Sequence, residues 1–90
     1  ENITREQLAT IIWRYARYKG IDISSENDNA LNYDDTREIS DYAIPAMKWI
    51  IGVGIIGGFD DNTLRPKDNT TRAQTATILK KFNDVYNVIK

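Results

Sequence analysis

From Thr4 to Lys19 apolar residues recur at three- and four-residue spacing, with Leu8, Ile11, Ile12, Tyr15 and Tyr18 on one stripe, and this predicts an amphipathic helix. Gly20 stands just past the stripe as its stop. Near the other end Ala76, Leu79, Phe82, Tyr86 and Ile89 repeat the spacing and predict a second long helix from about Arg72 to Ile89. The pattern between them changes twice. Residues 21–39 are polar and acidic, and Ser24, Ser25, Asn27, Asp28, Asn29 and Asn32 favour turns, so a linker is expected there. A middle helix starts between Ser40 and Ile44, bent or delayed by Pro45, and runs to about Gly52 with Ala43, Met47, Ile50 and Ile51 inward. Gly54-Ile55-Ile56-Gly57-Gly58-Phe59 reads as a helix stop followed by a tight, buried crossing. Asp60-Asp61-Asn62-Thr63 reads as an exposed turn with Asn62 in the left-handed position.

The two long helices open alike. Thr4-Arg5-Glu6-Gln7-Leu8-Ala9-Thr10-Ile11 returns as Thr71-Arg72-Ala73-Gln74-Thr75-Ala76-Thr77-Ile78, at an offset of 67 residues. Thr4 with Gln7 and Thr71 with Gln74 have the spacing of capping boxes, and Ile3 is placed to staple onto Leu8. Such an offset fits a tandem module, with the chain expected to begin inside one repeat. A fragment of that kind buries little surface for its size, so self-association is expected.

Ninety residues with 41% hydrophobic content, no cysteine and a formal charge of -1 describe one small globular domain and give no sign of a polyelectrolyte partner. The longest apolar stretch, around Ile50 to Ile56, is far short of the ~20 residues that span a bilayer. Catalysis finds little support, because histidine and cysteine are absent and Ser24, Ser25 and Ser40 have no plausible base. The carboxylate pairs Asp34–Asp35 and Asp60–Asp61 have no evident means of separating their pKa values. Calcium is a weaker alternative at Asp60 to Thr63, which lacks the central glycine and has Thr71 where a bidentate glutamate belongs. Arg14, Arg17 and Lys19 interleave with Tyr15 and Tyr18 as on a nucleic-acid surface, yet the tyrosines are expected to turn inward from a solvated helix end. Arg5 and Arg72 each sit at a first helical position, where the dipole disfavours a cation. Two offsets are open: an anion meeting the free helix N–H groups and the guanidinium together, or an ion pair of Arg5 with Asp34, Asp35 or Asp41.

Five landmarks then stand in order: Tyr33-x-Asp35, Ala46-x-x-Trp49, Gly54-Ile55-Ile56-x-Gly58, Asp61-x-x-Leu64-x-Pro66 and Thr70-Thr71-Arg72-Ala73-Gln74. On these the chain resembles the S-layer homology family, with one complete repeat over about Tyr33 to Phe82. The resemblance implies an all-α fold of helix, long polar linker, helix, Gly-rich loop and helix, a fragment of a pseudo-threefold prism. It implies a closing helix of a preceding repeat over 1–20, a linker over 21–32 and one complete repeat with a helical extension over 33–90. Members anchor exported bacterial proteins by binding secondary cell-wall polymers, often bearing pyruvate ketals. The implied function is thus a non-catalytic anchoring module at the cell surface or S-layer, holding an anionic polysaccharide in grooves between repeats without cofactor or metal.

Glycan contacts implied by the resemblance are Arg5, Arg72, Asp35, Tyr42, Trp49, Gly54 and Gly58. Trp49 has an ordinary core role as its alternative, and the glycines are also explained by turn geometry. The family's glutamate at the helix opening is glutamine here, at Gln7 and Gln74; Asn62 replaces a turn glycine, and Tyr42 a frequent tryptophan. The competing expectation is a structural or protein-interaction module whose repeats pack on one another, as a homo-oligomer or a helix-swapped dimer.

Overall fold

The computed structural model of the protein describes residues 2–24 and 31–88. Three helices carry it: α1 over Arg5–Tyr18, α2 over Ile44–Gly52 and α3 over Arg72–Tyr86, with short 3-10 turns at Thr36–Glu38 and Asp41–Ala43 leading into α2. The fold is all-α, and an isolated bridge joins Thr4 to Asn69. Ser25, Asn27, Asp28 and Asn29 of the expected linker, and Ile89 of the expected last helix, lie outside the described residues.

Local chemistry sets the helix ends. Both capping boxes form: the Gln7 amide donates to the Thr4 hydroxyl at 3.2 Å and the Thr4 amide to the Gln7 side chain at 2.9 Å, and Thr71 with Gln74 repeats this at 3.0 and 2.9 Å. The stops are alike as well. Gly20 at φ +80° gives its N–H to the Arg17 carbonyl while Ile21 reaches the Ala16 carbonyl, and Gly54 at φ +83° with Ile55 does the same to Ile51 and Ile50. These are Schellman terminations, which need a left-handed residue and fold the next apolar side chain back onto the core. Pro45 falls in the first turn of α2, where no donor is required of it. Asn62 adopts φ 63° as expected, and Arg65 at φ 52° is a second left-handed residue that no sequence signal announced.

Trp49 lies at the centre of the core, fully enclosed, with Phe82 edge-on at 6.4 Å and Tyr86 stacked at 6.1 Å. Met47, Ile50, Ile55, Ile56 and Leu64 close around it. The buried stripes differ from those the spacing predicts. On α1 the inward residues are Leu8, Ala9, Ile12 and Ala16, whereas Ile11 is 54% and Tyr18 84% exposed. Two alanines on the packed face let the helix approach closely, which turns Ile11 and Tyr18 out. On α3 the inward residues are Ile78 and Phe82, with Tyr86 half-buried; Ala76 and Leu79 are exposed. One side of α3 faces the Trp49 cluster. On α2, Ile51 is half-buried while Ala46 and Trp49 are fully enclosed.

Gly58 is fixed by contact rather than by dihedral, since a Cβ added there would overlap the Tyr33 ring, while one added at Gly57 meets nothing within 4 Å. Gly58→Ala should therefore cost about 1–3 kcal/mol, and Gly57→Ala less than about 0.5 kcal/mol. Urea midpoints check this, and equal midpoints for the two variants would contradict it.

Candidate functional site

Four N–H groups at the start of α1 need partners, and all four have one. The capping box takes those of Thr4 and Gln7, while Arg5 donates its backbone N–H to the Asp68 carbonyl at 2.9 Å and Glu6 to the Pro66 carbonyl at 3.0 Å. An anion bound to free amides at this helix start, one of the expectations from sequence, therefore finds no free donor at α1. The same pairing draws the two helix openings together, because Thr70 gives its N–H and hydroxyl to the carbonyl of Ile3, its repeat counterpart, at 2.8 and 3.1 Å.

The Arg5 side chain is 7% exposed. Its Nε donates to the Leu64 carbonyl at 3.0 Å and Nη2 to the Gly57 carbonyl at 3.3 Å, and the guanidinium lies 4.8 Å from the centre of the Phe59 ring. The expected ion pair with Asp34, Asp35 or Asp41 is not formed. Backbone carbonyls replace it because the loop from Gly57 to Asp68, not the acidic turn, is what wraps the helix start. Burial lowers the guanidinium's pKa, Asp68 offsets part of this and Arg65 adds to it. The group nonetheless stays charged, and most of its N–H bonds remain unused. It lines a cavity of about 280 Å³, floored by Ile55 and Ile56 and bordered by Gly57, Gln74 and Lys81.

The other expected contacts distribute unevenly. Asp35 is buried and accepts the N–H groups of Leu64 and Arg65 at 2.8 and 2.9 Å, so both oxygens hold the loop that Arg5 also grips. Trp49, enclosed on all sides, offers no sugar-stacking face. Tyr42, by contrast, is 52% exposed, and its hydroxyl donates to Glu6 at 3.3 Å. Gly54 is the left-handed stop of α2, and Gly58 takes the Tyr33 ring; neither borders the Arg5 cavity, whereas Gly57 does. Arg72 is exposed beside Thr75 and Leu79. At the turn proposed for calcium, Asp61 already accepts from the Thr63 hydroxyl and from Arg65, and no group of three metal-ligating side chains occurs among the described residues.

Glu6 escaped the sequence reading. Only 3% exposed, it accepts from the Ser40 amide at 2.9 Å, the Ser40 hydroxyl at 2.6 Å, Lys67 at 3.0 Å and Tyr42, while Lys67 also donates to Ser40. Burial alone would push its carboxyl up, but the Ser40 donors and the Lys67 ammonium pull it below the ordinary carboxylate value. The one signal was a mismatch between copies: Ala73 stands where Glu6 does.

The sequence profile of the S-layer homology domain matches residues 32–76. An amylopullulanase of Thermoanaerobacterium thermosulfurigenes is 34% identical over 83 residues, covering 88% of this chain and 4% of that protein. Two proteins of Acetivibrio thermocellus align over 90% of the chain: a cellulosome-anchoring protein, 34% identical with 17% of its length covered, and cell surface glycoprotein 1, 35% identical with 3% covered. The chain thus spans a small part of the curated relatives it matches. No solved structure matches it.

A folded-state pKa below the unfolded one means that Glu6 adds stability above the ordinary carboxylate range, and that this is lost as pH falls through its lowered value. Thermal melts from neutral to acid pH should show wild type losing stability more steeply than Glu6→Gln, which has no charge to lose. Parallel acid limbs would rule out this role for Glu6.

Proposed function

The chain belongs to the S-layer homology family, and on that premise we propose that this cell-surface anchoring module holds an anionic secondary cell-wall polysaccharide in the cavity between Arg5, Gly57 and Lys81. One observation carries this: the Arg5 guanidinium is buried with no carboxylate at ion-pair distance among the described residues, and it opens onto a cavity with a second cation at its rim. Asp68 offsets only part of the cost of desolvating this cation, and a ligand carboxylate, such as that of a pyruvate ketal, supplies further counter-charge. The free N–H bonds of Arg5 suit a carboxylate edge, and Lys81 adds a point charge. Gln74 has its oxygen on the Thr71 amide and keeps its NH2 for a sugar hydroxyl. The match to the amylopullulanase covers 4% of that protein, in keeping with an anchoring rather than a catalytic segment.

Lys81 is the cleaner probe than Arg5, whose side chain also holds the loop together. Purified cell wall should retain the chain, retention should vanish once the polymer is extracted, and Lys81→Gln should weaken it by about tenfold. Retention by polymer-free wall would sink the proposal.

A second reading, self-association of repeats, draws on the exposed face of α3. Arg72, Ala73, Ala76 and Leu79 are exposed, whereas their counterparts Arg5, Glu6, Ala9 and Ile12 are buried against the rest of the fold. α3 thus carries much of the face by which α1 is seated, and exchange of the two between copies gives a helix-swapped dimer. Sedimentation at rising concentration should show a weak dimer that Leu79→Lys abolishes; a wild-type chain monomeric at every concentration would remove this reading.

A further inference from the structure

Two arginines share one aromatic ring. The guanidinium carbon of Arg5 lies over Phe59 at 4.8 Å from the ring centre, and that of Arg65 at 3.9 Å. We propose that Phe59 is the positioning residue for Arg5: its ring supports the buried guanidinium from the face and keeps the free N–H edge turned to the cavity that Gly57 and Lys81 border. The ligand side of this proposal rests on the glycan reading of that cavity.

An aromatic neighbour does what an acidic one could not. A carboxylate beside Arg5 would cancel its charge and take the N–H bonds that a ligand needs. A ring attracts the cation through its quadrupole, most strongly where water is excluded, yet it accepts none of the in-plane N–H bonds and cancels no charge. The other two partners, the carbonyls of Leu64 and Gly57, are uncharged as well. Phe59 is in turn held by its own backbone, which donates to the Thr63 carbonyl at 2.8 Å and accepts from the Asn62 N–H at 3.0 Å, closing a turn that begins at the ring. Arg65 returns to the ring from the end of that turn. Its N–H is on Asp35, and its guanidinium is tied to Asp61 at 3.2 Å and to the Thr63 hydroxyl at 3.3 Å. The two cations therefore differ in what they can offer. Arg65 is exposed and paired with Asp61, whereas Arg5 is buried with no carboxylate at ion-pair distance among the described residues.

Phe59 is half-buried, so Phe59→Leu and Phe59→Tyr are compared in a folded chain, with helical signal and thermal midpoint as the check. Exchange of the Arg5 Nε–H, followed by NMR on the chain alone, reads the positioning without any ligand. It should be slow in wild type and in Phe59→Tyr, and about tenfold faster in Phe59→Leu. Retention by purified cell wall should fall about tenfold for Phe59→Leu and stay within about twofold of wild type for Phe59→Tyr, a rescue that follows the ring. Equal exchange in wild type and Phe59→Leu overturns the positioning role, and so does a retained wild type that Phe59→Leu matches. Should Phe59→Leu not fold, Phe59→Met takes its place in both measurements. Exchange that follows the ring in a chain that the wall never retains supports the positioning of Arg5 and overturns the glycan reading.

Discussion

The fold depends on how the first turn of α1 is satisfied. Its donors at Arg5 and Glu6 are met by the carbonyls of Asp68 and Pro66, and the Arg5 side chain continues the same grip at Leu64 and Gly57. Without those carbonyls, two backbone N–H groups and a guanidinium would be buried unpaired, each a penalty of a few kcal/mol. Because the grip lies on the loop between α2 and α3, it also decides where α3 begins, how Ile55 and Ile56 floor the cavity, and why Asp35 must hold Leu64 and Arg65 from the other side.

Arg5 and Glu6 are neighbours of opposite charge that do not pair with each other. One serves the loop, and the other gathers Ser40, Tyr42 and Lys67, so the start of α1 is fixed from two directions. Buried polar groups of this kind stabilise little in net terms but penalise every wrong partner. Here the difference falls between the two copies of one motif: α3 has Ala73 in place of Glu6 and Thr75 in place of Leu8, so it resembles α1 without being its equal in the same seat.

Features set by neighbouring residues were legible in the sequence. Both capping boxes, both glycine stops and the left-handed Asn62 follow from chemistry within a few positions, and the all-α fold was implied by the family resemblance. What depended on distant contacts was not. Helical spacing places Ile11 and Ile12 side by side but does not choose between them; Ala9 and Ala16 chose, by allowing close packing on their side. The same limit hid the site, where the repeated Thr-Arg opening marked Arg5 but gave no hint that its amides and guanidinium are claimed by the loop, that Trp49 is enclosed, or that Gly57 rather than Gly54 or Gly58 borders the cavity.

The separation between Arg5 and its acceptor at Leu64, 59 residues, has a meaning in time. A chain emerging vectorially presents α1 first, yet the groups that complete its opening turn arrive only after α2 and the loop have followed. Closing so long an interval carries an entropic cost, and a lone helix of fourteen residues is marginal in water, so α1 relies on its packing against α2 and on the Glu6–Ser40 contact as well as on the loop. The opening turn of α1 is thus completed only once the loop before α3 is in place. That order ties completion of the α1 opening turn to residues as far along the chain as Asp68.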